Sequence, residues 1–329
     1  MNSFGRVFKV QIFGESHGEG AGVVIDGCPA GVSITEEDLE TDLSRRRSGA
    51  KGTTPRKEAD LPIIMSGVFN KKTTGAPLTV FFKNTNTRSG DYSNLVSSPR
   101  PGHADYTGRV KYGGFNDYRG GGHFSARLTV GIVAAGAIAK KILNNISIEA
   151  KLIEAGGNTN IDEAIDNAMK NRDSIGGIVE CVVKGLPVGL GEPFWDSVES
   201  VLSHAVFSIP AVKGIEFGAG FDVAKITGSE NNDNIIDEKG TTETNNAGGI
   251  NGGITNGNNV IFKIAVKPTS SISKPQKTFN FDSNKIEELV VHGRHDVCVA
   301  LRAPVILEAV TAIVFADLML LEQNVKRTN

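Results

Sequence analysis

The sequence predicts an α/β or α+β fold made as one large domain. Period-two apolar segments and long helical segments are interspersed, and no clear linker divides the chain. Its 329 residues, 39% apolar and 22% charged, suffice to bury roughly three quarters of the unfolded surface. Residues 4–13 (FGRVFKVQIF) alternate apolar and polar and read as a strand. It runs into the polar turn Gly14–Gly18 and a return strand at Val23–Asp26. Thr35 is a good N-cap for a helix that opens on Glu36, Glu37 and Asp38 and closes on Arg45, Arg46 and Arg47; these charges suit the two dipole ends, and Ser48–Gly52 stops the helix. Ile63–Phe69 and Leu78–Lys83 have strand character, whereas 84–123 is a long polar stretch of the kind that is often functional. Ser125–Leu143, rich in Ala and Val, reads as a buried helix and Asn160–Asn171 as a short amphipathic one. Ile178–Lys184 is expected to be a strand, Asp196–Phe207 a helix, Phe221–Ile226 another strand, and 228–245 a mobile surface loop. Asn and Gly fill 11 of the 15 positions from Asn245 to Asn259; Val260–Val266 then reads as a strand and Ala303–Gln323 as a long apolar helix.

Composition narrows the function. Lys+Arg is 35 and Asp+Glu 37, a formal net charge of −2, which argues against a nucleic-acid binder working by bulk charge. Glycine accounts for 39 residues, which implies many sites of positive φ or close approach to a ligand. No secretory signal is seen at the N-terminus. The apolar runs Val133–Ala139 and Val310–Leu321, the second broken by Asp317, fall short of the ~20 residues of a membrane span. Cys28, Cys181 and Cys298 are odd in number and far apart, so neither a zinc site nor a disulfide framework is expected and a reducing cytosol is the simple reading.

Four segments concentrate His, Arg, Ser and Gly in loops: Gly14–Gly18, Arg45–Lys51, Arg100–Arg127 and Gly293–Cys298. Taken singly, each has a plain structural explanation. His17 is either a general acid or a surface turn histidine, with Glu15 and Ser16 able to orient it or bond a ligand. The three arginines suit a helix C-terminus, yet forked guanidiniums also match phosphate and carboxylate bidentately. His103 has Asp105 two residues on as an orienting partner. Gly120-Gly121-Gly122 leads towards a helix near Ser125, an arrangement suited to phosphate, and Arg127 sits badly in a first turn unless it serves a ligand. Lys267–Ser271 supplies a cation and hydroxyls, and Asp296 is a candidate base. Together these suggest an enzyme for a small, multiply anionic substrate.

These stretches resemble the chorismate synthase family. The motifs are FGESHG at 13–18, DLSRRR at 42–47, RPGHADYT at 100–107, DYRGGGHFSAR at 117–127, VAAGAIAKK at 133–141, AGGINGG at 247–253, KPTSSI at 267–272 and GRHDVC at 293–298. The resemblance implies an α+β fold: a single domain over 1–329 forming a β-α-β sandwich, with central helices between two antiparallel sheets, assembled as a homotetramer. It implies a lyase that converts 5-enolpyruvylshikimate 3-phosphate to chorismate and phosphate by anti 1,4-elimination. This is the last step of the shikimate pathway, and it uses reduced FMN without net redox change. His17 then falls on the histidine that protonates reduced flavin, His103 on the one that assists phosphate departure, and Asp296 on the aspartate that acts with flavin N5 on the C6 proton. Arg46, Arg100 and Arg127, with Ser16, fall on the substrate side; Arg46 and Lys51 are linked with NADP. Flavin contacts fall on His123, Phe124, Ser125, Pro210, Ala211, Gly252, Lys267, Pro268, Thr269, Ser270, Ser271 and Arg294; no metal is implied. Many members read GGGRSSARET where this chain has GGGHFSARLT, and others carry Arg at Lys51 and Asn at Pro210. The short tail after Val325 leads us to expect no appended flavin-reductase domain, so reduced FMN would come from an external reductase. The competing readings are a polyanion- or RNA-binding module, disfavoured by the net charge and by only 6% aromatics, and a flavin reductase oxidising NADPH.

Overall fold

The computed structural model describes residues 2–56, 58–87, 94–291 and 295–324. Two antiparallel sheets enclose two long helices. The first sheet has the order β1 (Ser3–Phe4), β2 (Lys9–Gly14), β3 (Gly20–Asp26), β7 (Leu78–Lys83), β4 (Ile63–Ser66); between β4 and β7 runs the small hairpin β5 (Val68–Phe69) and β6 (Lys72–Thr73). The second has the order β10 (Val212–Phe217), β13 (Val260–Val266), β9 (Gly177–Lys184), β8 (Ser147–Ala155). Alternation carries the inner faces: Leu78, Val80 and Phe82 on β7, and Val260, Phe262, Ile264 and Val266 on β13, are all buried. Helix α3 (Thr129–Ile142) packs on β3 and β7, while α7 (Ala303–Asn324) packs on β8 and β9, and the two helices pack on each other. The layers therefore run sheet, helix, helix, sheet, as the β-α-β sandwich requires.

Both central helices are apolar nearly all round because neither meets water on any long face. Small residues let them approach closely. A side chain at Gly136 would begin 2.3 Å from Ala309 Cα, and one at Gly131 only 2.9 Å from the Gly22 carbonyl. The helical run Val299–Gln323 is long and apolar enough by length and composition to cross a membrane, which corrects the shorter span counted from sequence. Most of it is buried in the sandwich, as a core helix of a globular protein is.

Helix α1 (Glu36–Arg46) starts as expected: the Thr35 N–H donates to Asp38 at 2.7 Å. The expected strand 4–13 breaks at Gly5, with φ +96°. There the Asp317 carboxylate, reaching back from α7, accepts the N–H groups of Arg6, Val7 and Phe8 at 2.7–3.0 Å. Phe221–Ile226 is a correction: residues Gly220–Lys225 form a 3-10 turn with Phe221 80% exposed, so its apolar alternation faces no core. The 228–245 segment contains the short α6 (Gly228–Asn231) and is pinned by Asp233, which accepts from Thr244 Oγ1 and from the Asn246 and Ala247 N–H groups. Elements not anticipated are β8, β10, α2 (Asp105–Lys111) and the hairpin β14 (Gln276–Asn280) and β15 (Lys285–Leu289). Helices α4 (Ile161–Lys170) and α5 (Val198–Val206) and the Asn/Gly-rich turn carrying β11 (Ile250–Asn251) and β12 (Ile254–Thr255) complete the described chain. The three cysteines are free and buried.

Candidate active site

A cavity of about 830 Å³ opens where loops from both sheets meet the start of α3. That is towards the upper end of small-ligand cavities. Among the described residues its wall holds seven cationic side chains, Arg46, Arg56, Arg100, Arg127, Lys213, Lys267 and Arg302, against the carboxylates Glu58, Asp60 and Asp296. The positive excess matches a polyanionic ligand.

The glycine triplet seats histidines, which differs from the phosphate cradle expected at a helix start. Helix α3 begins only at Thr129, and Gly120, Gly121 and Gly122 all have positive φ. A Cβ on Gly120, which lines the cavity, would lie 2.6 Å from His17 Nε2 and 2.8 Å from Ser16 Oγ. One on Gly121 would lie 3.6 Å from His103 Nε2. The triplet thus brings the two predicted histidines to one wall. His17 and Ser16 are buried behind Gly120 rather than in the lining itself. Their turn is fixed by backbone and side-chain bonds: the Ser16 N–H donates to Gly122 O at 3.1 Å, and Arg56 donates to Ser16 Oγ and O at 3.2 and 3.3 Å.

His103 stands in a charge cluster. The Asp105 carboxylate lies 2.6 Å from His103 Nδ1 and the Arg100 guanidinium 3.1 Å from the same nitrogen; both engage Nδ1, which leaves Nε2 to the cavity side. Arg100 holds the same carboxylate with two bonds of 2.7 Å and also donates to Ser271 Oγ at 2.9 Å. Burial alone would raise the Asp105 carboxyl, but bonding from Arg100 and then His103 outweighs it and holds it well below its ordinary range. Asp296, also in the cavity wall, accepts the Thr54 N–H at 2.9 Å and lies 3.7 Å from Arg302.

The arginine run does not converge. Arg45 pairs with Glu308 at 2.7 Å and Arg47 with Glu40, away from the cavity, so only Arg46 turns inward. It is 2% exposed and donates to Asp60 at 2.8 Å, to Thr129 Oγ1 at 3.0 Å and to the Ala126 and Arg127 carbonyls. Burial, then the charge of Arg302, pushes Arg46 down to about 9, with Asp60 opposing, so it stays cationic at neutral pH. The other Asp60 oxygen accepts from Arg127, making Asp60 a bridge between two buried arginines.

On the expected flavin side, His123, Phe124, Ser125, Pro210, Ala211 and Lys267–Ser271 all line the cavity. His123 Nδ1 donates to Gly14 O at 2.8 Å, and Gly102 O accepts from Lys267 Nζ and Ser270 Oγ. Burial, then Lys213, lowers the Lys267 ammonium. Ala211 sits at φ +75°, a strained conformation in the wall. Among the described residues, Thr269 Oγ1 is a buried hydroxyl without a protein partner in that wall. Gly252 lies in the β11–β12 turn outside the lining, Lys51 pairs with Asp166 on the surface, and Arg294 lies outside the described residues. Sequence reasoning missed Arg56, Glu58 and Asp60, which lie in the loop before β4 and all line the cavity.

A chorismate synthase family profile matches residues 8–320. The chain belongs to the chorismate synthase family. It is 62% identical to chorismate synthase of Chitinophaga pinensis, over 99% of both chains. It is 48% identical to that of Dehalococcoides mccartyi, over 97% of this chain and 96% of the relative. A crystal structure of chorismate synthase superposes with a TM-score of 0.74 at 26% identity, over 98% of this chain and 94% of that one. As a chorismate synthase family member the protein is an enzyme, a carbon–oxygen lyase acting on phosphates that forms chorismate in the shikimate pathway.

Proposed function

We propose that the cavity binds 5-enolpyruvylshikimate 3-phosphate against reduced FMN and eliminates phosphate in the anti 1,4 sense. The C3–oxygen bond breaks, a proton leaves C6, and a second ring double bond forms without net redox change. The observation that carries this is the His103–Asp105–Arg100 cluster in a cation-rich cavity that also holds Asp296. Arg100 and Arg127 bind the phosphate and carboxylates, each charged hydrogen bond contributing about 1.5–3 kcal/mol. Arg46, largely committed to protein acceptors, holds Asp60 and through it Arg127. His103 gives a proton from Nε2 to the departing phosphate, its ring fixed by Asp105 at Nδ1. Asp296, oriented by the Thr54 N–H, receives the C6 proton. His17, seated behind Gly120, is the proton-holding group on the flavin side.

The flavin fits this wall on two counts: the orphaned Thr269 hydroxyl, and the Lys267, Ser270 and Ser271 groups gathered beside an apolar edge at Phe124 and Pro210. When bound, reduced FMN supplies electron density transiently to the allylic system. The rest of the reading is that one domain carries the activity, supported by a contiguous core from Phe8 to Leu320. An external reductase supplies the reduced flavin in the cytoplasm, in keeping with three free thiols. The chain self-associates as a homotetramer: Phe194, Trp195 and Phe221, each at least 80% exposed, are apolar surface that assembly would cover.

Anaerobic incubation with the substrate tests this. Phosphate release with dithionite-reduced FMN and none with oxidised FMN is expected. Stoichiometric NADPH loss without phosphate release would instead support a flavin reductase.

A further inference from the structure

Asn84, the first residue after β7, lies outside the cavity lining and is not among the residues carried over from the family, yet it ties two of them together. Its Oδ1 accepts from Arg127 Nε at 3.0 Å. That fixes the amide orientation, so Nδ2 faces the turn carrying Ser16 and His17 and donates to Glu15 O and Gly18 O, both at 2.9 Å. Its backbone N–H donates to Glu19 O at 3.1 Å, continuing the β3–β7 ladder that ends at Gly20 and Lys83. One half-buried side chain therefore spends its acceptor on the arginine and both its donors on the histidine turn. Its three side-chain partners are 43, 66 and 69 residues away in sequence, which is not the local bonding of an ordinary turn asparagine.

We propose that Asn84 is a positioning residue that holds the His17 turn in register with the Arg127 guanidinium, so that the proton held at His17 and the anion held at Arg127 face one another in one geometry. This rests on the lyase reading above, in which His17 and Arg127 are working groups. The two ends of the amide are chemically separable. Aspartate is isosteric and keeps the acceptor for Arg127, but it turns a second carboxylate oxygen on the Glu15 and Gly18 carbonyls and pushes the turn away. Alanine removes both ties.

The test uses the full chain with Asn84→Asp, Asn84→Ser and Asn84→Ala, anaerobic phosphate release at saturating reduced FMN, and varied substrate. For Asn84→Asp the expected result is a kcat lower by about tenfold to a hundredfold, the scale of a roughly 1 Å misplacement, with KM within about threefold. Asn84→Ala is expected to lose kcat and also raise KM about tenfold, through the freed Arg127. Independently of turnover, the His17 ring resonance, assigned with His17→Ala, should shift its titration midpoint in all three variants while that of His204 on α5 stays. Parental kcat with an unmoved His17 titration in whichever variants fold would overturn the proposal, as would equal changes in kcat and KM for Asn84→Asp. If the parent itself releases no phosphate, the lyase reading fails, and the His17 titration alone then decides the role of Asn84.

Discussion

At the scale of single residues, Arg45, Arg46 and Arg47 show what a sequence pattern holds back. Successive helix positions turn by about 100°, so one run of three sends Arg45 to Glu308, Arg46 into the cavity and Arg47 back to Glu40. The charge cluster was legible; its divergence was not, because it depends on which face α1 buries. The same holds for Asp60, whose two oxygens bridge Arg46 and Arg127 from a backbone at φ +49°. Asp60→Asn is expected to leave two buried cations short of a counter-charge and to lower stability by about 3–5 kcal/mol in denaturant unfolding. Asp105 was legible as a partner for His103, since the residues are two apart in a turn. Asp105→Asn should lower kcat by about 10²–10⁴-fold, because an amide carries no charge to hold both the His103 ring and the Arg100 guanidinium in place; a parental kcat in that variant would remove Asp105 from the account. The Asp105 carboxyl is held below its ordinary 3.8 in the folded protein. Its stabilising effect is therefore complete above that pH and is lost as the pH falls towards the depressed value, a slope that Asp105→Asn should flatten in acid unfolding.

At the scale of elements, the buried charges of α7 are read wrongly by hydropathy alone. Asp317 looks like a flaw in an apolar run but caps three backbone N–H groups at the break between β1 and β2. Glu308 accepts from Arg45, from Lys140 of α3 and from the Ala150 N–H of β8, and so joins three layers. Burial would raise its carboxyl, yet bonding from Arg45 and Lys140 brings it below its ordinary 4.5, so its contribution holds above pH 4.5 and is lost below. Glu308→Gln should cost roughly 3 kcal/mol in urea unfolding at neutral pH, and much less at pH 3. Gly136→Val should cost more than about 1–3 kcal/mol, since its Cβ would begin inside the contact with Ala309. Strand β8 escaped the sequence reading because Lys151, Glu149 and Glu154 mask an alternation of Ile148, Ala150 and Leu152. Phe221–Ile226 misled because an exposed apolar alternation looks the same on paper as a buried one.

At the scale of the whole molecule, the sandwich gathers residues from Asn2 to Ile313 around one cavity. The loops carrying His17, His103, the glycine triplet, Lys267–Ser271 and Asp296 were legible as unusual segments, and their joint family resemblance gave the layer order. The register of β2 with β3 and of β9 with β13, which sets how those loops meet, depends on long-range pairing that local pattern does not encode. The central claim is that one shared cavity holds FMN and the phosphorylated substrate together. Reciprocal binding measures it most directly, by titrating FMN fluorescence with and without 5-enolpyruvylshikimate 3-phosphate, and the substrate with and without FMN. A shared site is expected to give an affinity change of the same factor in both directions, on the order of 5–150-fold, and to lose it in Arg100→Ala. Two ligands that bind with unchanged affinity in each other's presence would contradict it.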